Sequence, residues 1–251
     1  MGKLILGCIL VLFSTLASAA GTSIHLDDIT TDHSDKPSLQ RGAKLFTNYC
    51  MGCHSMEYAR YKRVSQDLEI PEDLYTENLI FTDAKIGELM KIAMPKDKAG
   101  SWFGNPPPDL TLETRLRGDD WVYSYLRGFY QDQSRPLGVN NVVFPNVGMP
   151  HVLVNLQGLC AEHPTIGEKA MVDPLSGDVR NAGSCSKFAI EGSLTGQEYD
   201  QVVYDITNFM SYMADPIKLE RESLGIKVLL FILLFFVCAW FLNREYWKDV
   251  H

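Results

Sequence analysis

From Leu224 to Leu242 the chain reads LGIKVLLFILLFFVCAWFL, an apolar run with one charge, Lys227. Wound as an α-helix at 1.5 Å per residue it is about 28 Å long, close to the ~30 Å of a bilayer's hydrocarbon layer. Lys227 stands near one end, from which its ammonium can reach the headgroups. Trp240, Tyr246 and Trp247 stand at the other, where aromatic rings gather at membrane interfaces. The run is read as a transmembrane helix with the lipid bilayer as its surroundings. Everything N-terminal to it has to fold on one side of that membrane.

Which side follows from the other end of the chain. MGKLILGCILVLFSTLASAA has the three parts of a secretory signal peptide: a positive Lys3, apolar Leu4 to Phe13, and the small-residue cleavage site Ala17-Ser18-Ala19. Its apolar stretch falls short of the ~20 residues that a span needs. The basic residues do not decide orientation, because Lys218, Arg221 and Lys227 lie on one side of the span and Arg244 and Lys248 on the other. Residues 1–19 are thus expected to be a leader and 20–216 an exported domain. Residues 217–243 form a linker and anchor with the span at 224–242, and 244–251 a cytoplasmic tail. Export places the domain where thiols pair or are otherwise used. The formal charge of the chain is -8, which argues against nucleic acid and suits a basic protein steered in electrostatically.

Within the domain, NYCMGCHSM sets Cys50 and Cys53 three apart, with His54 directly after. Zinc needs about four ligands, usually in two separated pairs, and the sequence has no second C-x-x-C. A thioredoxin-like redox pair belongs on a strand-to-helix turn in a β-α-β pattern, which the flanking residues lack. C-x-x-C-H is the attachment signature of c-type haem. Its spacing lets both thiols meet the vinyl groups of one porphyrin and brings the imidazole under the iron from the same side. One covalently bound haem c is the expected cofactor.

The flanks supply helices for such a group. SLQRGAKLFTNYC carries Leu39, Gly42, Ala43, Phe46 and Tyr49 or Cys50 on one helical face, with Ser38 as N-cap. Gly42 leaves room for a second helix to cross. That helix is sought in EYDQVVYDITNFMSYMADP, where Val202, Ile206, Phe209 and Met213 share a face and Pro216 marks the end. A third, DDWVYSYLRGFY, is expected to be capped by Asp119, with Trp121 or Val122, Tyr125, Leu126 and Phe129 inward. The fold class is mainly α: a cytochrome c-type haem domain with long loops plus one C-terminal transmembrane helix.

The sixth ligand decides whether the iron carries electrons or binds small molecules, and a methionine would close the site. Met51 and Met56 are too near the attachment point, and Met210 and Met213 fit core packing on a helix. Two Met-Pro pairs remain, at Met94 and Met149, with His151 a further imidazole. Met94 has the spacing of a small cytochrome c, and Met149 lies in a Gly- and Pro-punctuated loop. Residue pattern leaves this choice open.

Four segments in order then bear on the question: RGAKLFTNYCMGCHSMEYARYKR, PPPDLTLETRLRGDDWVYSYLRGFY, FPNVGMP and DITNFMSYMADP, the last followed by a single span. Together they resemble the cytochrome c1 family, the haem subunits of the cytochrome bc1 complex (ubiquinol–cytochrome c oxidoreductase). The resemblance implies thioether bonds at Cys50 and Cys53 and axial ligation by His54 and Met149. It implies that Pro107 and Pro108 line the haem and that Arg117 pairs with a propionate. It implies one-electron relay from a Rieske iron–sulfur protein to a cytochrome c acceptor, without a catalytic acid or base. Cytochrome b would lie beside the anchor in a dimeric complex of a bacterial inner membrane, with the haem domain periplasmic. The family's Ala-Pro-Pro after its methionine is replaced here by Pro150-His151, and residues 156–195 have no counterpart. That stretch holds Cys160 and Cys185, which in an exported domain most simply form a disulfide, with two free thiols as the alternative. The rival functions are a free anchored cytochrome serving a terminal oxidase and a haem sensor or peroxidase with an open sixth site.

Overall fold

The computed structural model describes residues 24–167, 171–172, 179–180 and 185–248; the leader expected at 1–19 lies outside them. Along the chain run α1 (Lys36–Tyr49), β1 (Met56–Arg60), α2 (Tyr61–Asp67), α3 (Glu72–Leu79), β2 (Leu89–Met90) and α4 (Lys96–Phe103). Next come α5 (Glu113–Arg117), α6 (Asp119–Arg127), β3 (Phe129–Gln131), β4 (Val139–Asn141), α7 (Val154–Gln157) and β5 (Gly158–Cys160). The chain closes with β6 (Met171–Val172), β7 (Val179–Arg180), β8 (Phe188–Glu191), α8 (Gly196–Ala214) and α9 (Lys218–Tyr246).

The domain is organised by α1 crossing α8. Leu39, Ala43 and Phe46 of α1 are fully buried against Val203, Ile206 and Phe209 of α8. At the crossing, the carboxylate of buried Asp205 accepts from Ser38 Oγ at 2.7 Å and from Arg41 Nε at 2.6 Å. α8 opens on a capping box, Thr195 with Glu198. α1 opens on Asp35, whose side chain accepts from the Ser38 N–H, and not on Ser38 as expected. Ser38 lies inside the first turn because Asp205 takes its hydroxyl. Asp119 is likewise not the cap of α6. Gly118 fills that position at φ 95°, and the Asp119 carboxylate accepts from Thr31 Oγ1 at 2.8 Å and Ser211 Oγ at 3.0 Å.

The N-terminal segment straps these helices. Ile29 N–H donates to Asp120 Oδ1 at 2.9 Å, and buried Arg127 reaches Asp27 at 2.6 Å and Asp200 at 2.8 Å. Beside the helices and long loops lies a small four-stranded sheet in the order β4-β3-β5-β8. β3 and β5 are parallel and the other pairs antiparallel. β5 and β8 lie within residues 156–195, and a Cys160–Cys185 disulfide with Cα atoms 5.3 Å apart ties their region. β6 and β7 pair with each other.

α9 is one uninterrupted helix whose first turns take in the expected linker from Lys218 onward. By length and composition it can cross a membrane. At 1.5 Å per residue it is about 43 Å long, enough to extend beyond the hydrocarbon on at least one side.

Candidate haem site

α1 ends at Cys50, whose N–H still bonds Phe46 O at 2.8 Å. The chain then turns so tightly that Cys53 N–H and His54 N–H both reach Cys50 O, at 3.0 and 2.9 Å. This single turn brings Cys50, Cys53 and His54 onto one cavity. Burial pushes the Cys50 thiol up to about 12, so it stands as the neutral thiol.

His54 is held from behind. Its Nδ1 lies 2.8 Å from Pro108 O, and since a carbonyl only accepts, Nδ1 carries the proton. Nε2 therefore keeps its lone pair, and burial lowers the pKa of the ring so that it stays neutral. Pro108 is fixed in turn by its neighbour. The Asp109 carboxylate accepts from Glu57 N–H at 2.7 Å, Thr111 N–H at 2.9 Å and Thr111 Oγ1 at 2.6 Å. A metal-binding imidazole ordinarily shows this kind of outer hydrogen bond, which sets tautomer and ring angle.

The cavity has a volume of about 350 Å³ and lies among α1, α5, α6, α8 and two loops. That falls within the usual range for cofactor sites. Its walls are mostly apolar, among them Val122, Leu126, Phe144 and Ile206, and both Pro107 and Pro108 line it. Arg117 stands over Trp121 at 4.3 Å, with its Nε paired to Glu113, which also borders the cavity.

Met149 borders this cavity, and its Sδ accepts from Tyr125 Oη at 3.3 Å. The loop that carries it is tethered: Asn146 N–H donates to Asn140 Oδ1 at 2.8 Å, and Arg135 to Asn146 O at 3.0 Å. Met94 instead lines a smaller, adjoining cavity of about 100 Å³ beside Ser55 and Lys91, which shares Cys53, Pro106 and Pro107 with the large one. His151 is turned away, with Nε2 3.1 Å from Gly158 O and its ring stacked on Phe129 at 4.7 Å. Met210, read from the sequence as core, also borders the large cavity. Its helical spacing marked a buried face but could not tell packed core from cavity wall. Asp109 was missed too, although an Asp two residues before Thr111 is a turn-forming pattern.

These residues fit a covalently held haem. Two unpaired thiols, a neutral imidazole with one nitrogen tied back, and a thioether share one apolar cavity. The sequence model of the cytochrome C1 family matches residues 26–250. The chain belongs to the cytochrome c1 family. It is 50% identical over 254 residues to cytochrome c1 of Allochromatium vinosum, with all of both chains covered. It is 41% identical to the ammonia monooxygenase gamma subunit of Nitrosomonas europaea, over 94% of this chain and 93% of that one. To cytochrome c1 of Rhodospirillum rubrum it is 26% identical, over 93% and 91% of the two chains. As a cytochrome c1 family member it carries one covalently bound haem c. It is a membrane-anchored electron-transfer subunit of the cytochrome bc1 complex, an oxidoreductase.

Proposed function

We propose that Cys50 and Cys53 hold the haem through thioether bonds, and that His54 Nε2 and Met149 Sδ are its axial ligands. The chain then relays single electrons from a Rieske iron–sulfur protein to a cytochrome c acceptor. The observation that carries this reading is the His54–Pro108 hydrogen bond at 2.8 Å, which aims an unprotonated Nε2 from the same turn as both thiols.

When bound, the haem supplies a one-electron change at iron. The residues around it do the rest. His54 is pre-oriented, so little has to reorganise as the charge changes. The thioether of Met149 is a soft ligand that favours the reduced state and closes the site to small molecules. Apolar walls keep water from the iron, and Arg117 at the rim offers a guanidinium to a propionate. The tightly coupled pair Arg117–Glu113 would have to loosen for that contact. No residue is assigned a catalytic proton transfer.

The domain is placed on the periplasmic face of a bacterial inner membrane, with the C-terminal tail cytoplasmic. The leader read at residues 1–19 and the apolar α9 support this orientation. α9 is assigned to a contact with cytochrome b inside a dimeric complex. The test is isolation of the native complex in mild detergent. The chain should keep its haem through acid-acetone extraction and co-purify with cytochrome b and a Rieske protein. Purification alone, or with monooxygenase subunits, would contradict the assignment, as would carbon monoxide binding to the native reduced protein.

A further inference from the structure

We propose that Tyr125 is a positioning residue for the haem: its hydroxyl donates to the sulfur of Met149 and raises the potential of the iron which that sulfur ligates. This rests on the reading of Met149 as the axial ligand.

The Tyr125 Oη–Met149 Sδ distance is 3.3 Å, within reach for a hydrogen bond to sulfur. Among the described hydrogen bonds it is the one that the hydroxyl makes. The donor is held rigidly. Tyr125 stacks on Trp121 with centroids 4.9 Å apart and planes 8° from parallel. On its other side Phe129 meets it edge-on at 5.3 Å. Trp121 and Tyr125 are four residues apart on α6, so the helical period sets them on one side, and Phe129 follows as the first residue of β3. The main-chain oxygen of Tyr125 is also tied, accepting from Asn141 Nδ2 at 2.8 Å.

A thioether sulfur has two lone pairs. With one directed to iron, the other is free to accept the phenol proton. That bond draws density from sulfur and weakens its donation, and ferric iron loses more by this than ferrous. A neutral hydrogen bond has a net worth that corresponds to about a two- to tenfold change in an equilibrium constant. The upper limit is about 59 mV for a one-electron couple.

The test is a double-mutant cycle on the holoprotein within its membrane complex, read by redox titration and by the ferric methionine–iron charge-transfer band. Tyr125→Phe keeps the ring and its stacking and removes the hydroxyl alone. It should keep the haem and the band, and lower the midpoint potential by up to the tenfold equivalent. In a Met149→Leu background the same change should shift nothing, because its intermediary is gone. An unchanged potential for Tyr125→Phe in the native background would overturn the proposal while leaving Met149 as ligand. So would an equal shift in both backgrounds, since the hydroxyl would then act on the pocket directly. If Met149→Leu itself keeps the native potential and band, the ligand assignment falls and the proposal with it.

Discussion

A Cβ placed on Gly42 would stand 2.1 Å from the main-chain oxygen of Asp205 and 2.6 Å from Cβ of Phe209. Neither neighbour can swing aside, because both belong to the body of α8. The same crossing holds the Asp205 carboxylate against Ser38 and Arg41. Gly42→Ala is therefore expected to push α1 off α8 and stretch these bonds. Overpacking of this kind costs about 1–3 kcal/mol. A lowered urea midpoint of the holoprotein checks it, and an unchanged midpoint would show that the helices can separate at little cost.

His33 is buried between the N-terminal strap and α8, with Nε2 3.0 Å from Ser211 Oγ. Burial lowers its pKa, helped by Lys218 and opposed by Asp119, Asp215 and Asp32. The unfolded chain then binds the proton more readily than the folded one between the folded value and about 6.5, the ordinary histidine value. This contribution to stability is fully present above about pH 6.5 and is lost as pH falls through the folded pKa. Urea midpoints across that range should fall with pH in the wild type and less steeply in His33→Gln. Parallel slopes in the two proteins would count against the burial of a neutral His33.

α1, α6, α8 and α9 were legible because each carries a helical or fully apolar period of its own. The sheet was not. β5 and β8 are three and four residues long, and β3 meets β5 in parallel across a loop, so no local pattern announces them. The cap of α1 was misread for a similar reason: Asp35 and Ser38 both suit an N-cap, and a residue far along the chain, Asp205, decides between them. In the site, the C-x-x-C-H turn could be read directly because its chemistry is local. Residue pattern could not separate Met94 from Met149, since the difference lies in which cavity each borders. The Pro108 oxygen that holds His54 was invisible for the same reason, being a main-chain group 54 residues away.

The structure joins Cys160 to Cys185, and among the described residues Cys238 is the remaining free cysteine besides the two at the haem site. Closing a loop of this length stabilises by about 3 kcal/mol in the chain-entropy model. Alkylation of the denatured, unreduced holoprotein, freed of residues 1–19 and with them Cys8, should add one label, at Cys238, and prior reduction should add two more. Three labels without reductant would contradict the bridge.

The most direct test compares Met149→Leu with Met94→Leu by redox titration and carbon monoxide binding. Met149→Leu should keep the covalent haem, lower its potential and admit carbon monoxide to the ferrous iron. Met94→Leu should leave both properties near wild type, because Met94 borders a different cavity. Met210→Leu, on the packed wall of α8, should keep the site closed. A lowered potential and an open site in Met94→Leu, with Met149→Leu like the wild type, would contradict axial ligation by Met149.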